Sequence, residues 1–127
     1  MYEFSKRNTA WGGTIVPIND NNVQHKSEAL LDQYRKKSTL YRTKSVLAPL
    51  GDDFTYPDMS YVNDMFPNHQ KIHDFLNARP EYHVDIKFSN LSNYFYSVAK
   101  NAENSGLSFP VLTGDFFTYA DRENDYW

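Results

Sequence analysis

Apolar residues recur at helical spacing over residues 21–41. Val23, Leu30, Leu31, Tyr34 and Tyr41 fall on one face, with lysine, arginine and glutamate opposite. Asn19 or Asp20 stands where a helix cap belongs, so the pattern predicts a long first helix. Residues 45–50, SVLAPL, change the rhythm to a short, nearly continuous apolar run of the kind a buried parallel strand carries. Gly51 then lets the chain turn, leaving Asp52 and Asp53 at the predicted strand's carboxyl end. Residues 55–60, with Pro57, read as a loop. A second helix is predicted over 61–77, with Tyr61, Met65, His69, Ile72 and Leu76 on one side and Pro67 placed to begin or kink its stronger half. Beyond Pro80, Tyr82, Val84, Ile86 and Phe88 alternate with His83, Asp85 and Lys87, the period of a half-buried strand. Ser89 or Asn90 caps a third helix reaching about Glu103, and Gly106 ends it. Residues 109–112 form a last short predicted strand, leading into TGDFF.

The order β-α-β-α-β, with helices long enough to cross over, predicts an α/β fold: a partial parallel β-sheet with right-handed crossover helices. Three or four strands leave an apolar edge without a neighbour, so the chain reads as a slice of a larger doubly wound sheet. Ligands in such sheets bind at the carboxyl ends of the strands. That topology would gather Asp52, Asp53 and Asp115 on one rim.

Composition narrows the function. The 127 residues are a size at which one core is feasible, and 1–127 is read as a single partial domain. A net charge of −3 gives no electrostatic footprint for nucleic acid or an anionic membrane. No apolar run approaches a membrane span, and MYEFSKRN is not a signal peptide, so any targeting segment is expected outside this stretch. Cysteine is absent, which removes disulfides and thiolate metal sites. Aromatic residues are abundant, and most are expected in the core, although sugar sites use such rings as stacking platforms.

Adjacent aspartates after a strand are, on residue chemistry alone, turn formers or a helix cap. Longer motifs change that reading. LLDQYRKKSTLYRT (30–43), LAPLGDDF (47–54) and FPVLTGDFFTYADRENDYW (109–127) resemble, in this order, the α-mannosidase II branch of glycoside hydrolase family 38. The likeness covers nearly the whole chain and implies that it is an internal piece of a catalytic domain, with about 115–127 leading towards a helical bundle.

The resemblance implies a retaining, zinc-dependent hydrolase that removes α-linked mannose from N-glycans. Such chemistry uses two carboxylates about 5 to 5.5 Å apart. Consecutive side chains on extended backbone point opposite ways, so Asp52 and Asp53 are not that pair. The resemblance gives Asp53 the general acid/base role and Asp52 a supporting or substrate-holding one. Trp127 is the implied aromatic wall for a mannose ring, and Arg122 a contact to an outer sugar. The zinc ligands and the nucleophile belong to parts of the family outside this chain, so the isolated chain is expected to be inactive. Its partners are then a mannose-containing N-glycan and the rest of the catalytic domain. The implied location is the Golgi lumen, with the lysosome as alternative. A non-catalytic mannoside-binding or interaction domain derived from that enzyme is the alternative function.

Departures from the family pattern are informative. Thr55 follows GDDF where the family usually carries arginine, which bears on recognition of extended glycans. His69 and His73 have the i, i+4 spacing of a helical metal pair, but Gln70 stands where a metalloprotease motif needs glutamate. They are expected to be ordinary, partly buried helix histidines. Asn90-Leu91-Ser92 is a glycosylation sequon, expected to stay unused because it sits at a helix start near the proposed rim.

Overall fold

Helices, rather than a sheet, organise the chain. The computed structural model describes residues 16–51, 58–115, 120–122 and 125–126. Helix α1 runs Val23–Ser38, α2 Met59–Asn77 and α3 Leu91–Asn104, with a single 3-10 turn at Pro80–Tyr82. Strands β1 (Ala120–Arg122) and β2 (Asp125–Tyr126) form a two-stranded antiparallel ribbon.

α1 begins after a cluster of asparagines that bond to their own backbone. Asn19 Oδ1 accepts from the Asn21 N–H at 3.0 Å, and Asn22 Oδ1 accepts from the Asn19 N–H at 2.9 Å. With the Val23 N–H on the Asn19 carbonyl at 2.9 Å, these are reciprocal capping bonds at Asn19, one of the two expected caps. The continuous helix starts only after Asn22, whose side chain makes no cap bond to it. Arg35, Lys36 and Lys37 occupy the last turn, where cations suit the helix dipole. Tyr41 lies beyond the helix end and is exposed.

The core forms where α1 crosses α2. Leu30 and Leu31 from α1 meet Ile72 and Leu76 from α2, with Ile18 closing the cluster from the lead-in. Full burial of each such side chain is worth about 1.5–3 kcal/mol. Ile18 is also clamped by its backbone: its N–H donates to Asn68 Oδ1 at 2.8 Å, and its carbonyl accepts from Lys71 Nζ at 2.9 Å. Pro67 lies inside α2, well after its first turn.

α3 follows the capping chemistry read from the sequence. Asn90 Oδ1 accepts the Asn93 N–H at 2.9 Å. At the other end the Leu107 N–H reaches the Ala102 carbonyl at 2.9 Å and the Gly106 N–H reaches Glu103 at 3.2 Å. This paired closure needs a left-handed residue, and Gly106 supplies it with φ +63°. A Cβ there would meet nothing within 4 Å, so only backbone strain opposes a side chain. Gly106→Ala is therefore expected to cost about 1 kcal/mol in a urea titration; an unchanged midpoint would show that the left-handed closure contributes nothing.

The predicted parallel sheet is corrected: among the described residues there is no parallel strand pairing. Residues 45–50, 83–88 and 109–112 carry no strand, and the β1–β2 ribbon is antiparallel. The alternation is nevertheless real as burial over 82–87, with Tyr82, Val84 and Ile86 packed on the core and His83, Asp85 and Lys87 exposed. Phe88, expected on the buried side, is exposed. A period of two specifies which side faces the core. A ladder also needs a neighbouring backbone, and here side chains take that place. The Ile86 N–H donates to Asn77 Oδ1 at 3.0 Å while Asn77 Nδ2 donates to the Ile86 carbonyl at 2.8 Å. Arg35 likewise serves the Tyr82 carbonyl at 2.8 Å and Arg42 the Ser108 carbonyl at 2.8 Å. These side chains give the Tyr82, Ile86 and Ser108 backbone groups partners that a sheet would otherwise supply.

Candidate functional site

The chain reaches the aspartate pair along residues 44–51, which two helices hold from either side. Lys37 Nζ, at the end of α1, donates to the Leu47 carbonyl at 2.7 Å. From α3, Asn101 Nδ2 donates to Ser45 Oγ at 2.9 Å, and the Ser45 and Ser97 hydroxyls stand 2.9 Å apart. Ser97 and Asn101 are four residues apart and so share a face of α3. Val46, Leu47 and Leu50 are half-buried, and Ala48 is exposed, in place of the fully buried run expected. Gly51 has φ +129°, a conformation that suits glycine, and so redirects the chain just before the acids.

Asp52, Asp53, Thr55 and Trp127 lie outside the described residues. Arg122 stands on β1, in register with Asp125 of β2. Asp115 is exposed. The expected common rim drew on a parallel sheet, and with that sheet absent it loses its structural basis. The anchors Lys37, Ser97 and Asn101 were not anticipated. No periodicity marks them, and only the i, i+4 spacing of Ser97 and Asn101 gives a trace in the sequence.

His69 and His73 do face inward together. They are 2% and 7% exposed, with ring centroids 6.3 Å apart. Phe88 packs against His73 at 4.7 Å and against Phe66 at 4.9 Å, so the pair sits beside aromatic rings. Among the described residues no three His, Asp or Glu side chains gather as a metal site. These residues do not fit the zinc that the family resemblance implies. His25 and His83 are exposed on the surface.

Burial, with the charge of His73 adding to it, pushes His69 down to about 4. Burial also lowers His73, with Asp74 opposing. An unfolded histidine titrates near 6.5. Between about 6.5 and 4 the unfolded chain therefore takes up a proton that folded His69 refuses. The stabilisation is whole above about pH 6.5 and is lost as pH falls towards 4, roughly 2 kcal/mol after allowing for solvent screening. Thermal melts should show this fall for the native chain and a smaller one for His69→Leu. Parallel curves would remove His69 as the source.

A second ionisable contact lies far from this pair in the sequence. The Tyr82 hydroxyl donates to Glu28 Oε1 at 2.7 Å. That bond, with help from Gln24, lowers the Glu28 pKa, and the same bond raises that of Tyr82. Both groups are structural: they tie the 3-10 turn to α1.

Comparison with known proteins identifies the family. Alpha-mannosidase 2 of Homo sapiens is 48% identical over 121 residues, which cover 92% of this chain and 11% of that protein. Alpha-mannosidase 2 of Arabidopsis thaliana is 44% identical over 129 residues, with 92% and 11% covered. Lysosomal alpha-mannosidase of Dictyostelium discoideum is 33% identical over 109 residues, covering 85% of this chain and 10% of that protein. The chain thus spans 10–11% of the length of these relatives. Residues 1–122 match the Glycosyl hydrolases family 38 N-terminal domain, and the chain belongs to that family.

Proposed function

We propose that this chain is part of a retaining α-mannosidase that hydrolyses α-linked mannose of N-glycans, with Asp53 as its general acid/base. The observation that carries the reading is the family match over residues 1–122, which contains the LAPLGDDF motif and its two acids. In the reaction Asp53 protonates the departing glycosidic oxygen and then takes a proton from the water that releases the sugar. Asp52 holds substrate or supports its neighbour, Trp127 stacks on the mannose ring, and Arg122 contacts an outer sugar. The attacking carboxylate is supplied from outside this chain. Zinc is assigned to the complete protein alone, since the described residues offer no donor set for it. The secretory pathway is the proposed location, in the Golgi lumen, with the lysosome as alternative.

Without a nucleophile the 127 residues are expected to be inactive alone. An assay of mannoside hydrolysis with added zinc checks this on the chain and on the complete protein. Turnover by the complete protein and none by the chain is the expected result. Turnover by the chain alone, or a complete protein inactive towards every mannoside, would sink the reading.

A further inference from the structure

We propose that Asn90 is a site of N-linked glycan attachment. Asn90-Leu91-Ser92 is the one N-x-S/T sequence in the chain, and all three residues are exposed. The expectation that it stays unused drew on a helix start and a nearby sheet rim; the helix start stands, and the described residues form no such parallel sheet. What remains is the geometry of the cap. Asn90 has φ −124° and ψ 169°, extended backbone at the lip of α3. Its side chain divides the labour: Oδ1 accepts the Asn93 N–H at 2.9 Å, and Nδ2 makes no hydrogen bond among the described residues.

Attachment uses only the free nitrogen. Nδ2 forms a bond to the anomeric carbon of the first N-acetylglucosamine of a lipid-diphosphate-linked oligosaccharide. The bond from that carbon to the diphosphate oxygen breaks, the lipid diphosphate leaves with the electron pair, and Nδ2 gives up one proton. The product is a secondary amide whose Oδ1 is intact, so capping and glycosylation are compatible. Leu91 and Phe95, four residues apart and 60% and 61% exposed, give the sugar an apolar surface to cover beside it. The proposal draws on the secretory location given above, because the donor lipid is used in the lumen.

The test appends a cleavable secretory leader to the chain and translates it with microsomes. Protease protection reports lumenal entry independently of any sugar. One mobility step, reversed by an amidase that removes N-glycans, is expected. Asn90→Gln and Ser92→Ala should abolish it, and Ser92→Thr should keep it. Asn90→Asp retains a capping oxygen but not the acceptor nitrogen, so it should lose the step while leaving the melting temperature unchanged. A protected chain of unshifted mobility would overturn the proposal, as would a shift that survives Asn90→Gln. The leader enforces entry, so a complete protein found outside the lumen would count against the location rather than against Asn90 as acceptor.

Discussion

Asp53→Asn in the complete protein is expected to lower kcat/KM towards a mannosyl disaccharide by about 10²- to 10⁴-fold, the range for loss of a general acid. The size of the loss should depend on the leaving group. A disaccharide releases a poor leaving group that needs the proton. An activated aryl mannoside releases a phenol that departs nearly unaided, so its bond-breaking step should be much less affected. The alkaline limb of the pH profile should also flatten, because it reports the deprotonation of that acid. Asp52→Asn provides the contrast. A carboxylate that holds substrate should change KM for both leaving groups alike. If the two substrates lose equally in Asp53→Asn, the acid role fails.

The second large effect is structural. Leu76→Ala is expected to destabilise the fold by about 2–5 kcal/mol, because the deletion leaves a cavity that its surroundings only partly fill. Leu76 is fully buried between Ile18, Leu30, Leu31 and Ile72. These few side chains are the principal apolar cluster among the described residues. A small domain has only about 5–15 kcal/mol of net stability, so this one change consumes a large share of it. Ile72→Val, removing a single methylene at an equally buried position, should cost about 0.5–1.5 kcal/mol. Urea titrations of both variants check the pair. A Leu76→Ala midpoint equal to that of Ile72→Val would mean that the α1–α2 contact is not the centre of the fold.

What the sequence made legible follows from which forces are local. The helical period of Leu30, Leu31, Ile72 and Leu76 was visible because burial on one helix face repeats within a few residues. Asn90 and Gly106 were visible because capping and left-handed backbone are properties of single residue types. Of the two inward-facing histidines, His69 was legible from its place on the apolar side of α2 and His73 only from its i, i+4 spacing; both are more deeply buried than expected. The sheet was not legible, and the reason is specific. The apolar run at 45–50 and the alternation at 82–87 carry the side-chain signature of strands, but a strand also needs a neighbouring backbone, which no local pattern specifies. Residues 45–50 are held by Lys37 and α3, and Ile86 by Asn77. The acid pair itself was singled out through its motif alone, since adjacent aspartates signal only a turn, and it lies outside the described residues. The side chains that steady its approach lie on two different helices, and no local pattern brings those together.

The amide of Asn77 has one further consequence. It presents a donor and an acceptor to Ile86 in the arrangement a passing peptide group would offer. A strand arriving on that side must evict the amide, and it then restores two hydrogen bonds for the two it breaks. The exchange is close to even, so the side chain acts as a removable placeholder: it keeps the segment quiet while no neighbour is there and opposes recruitment very little once one comes.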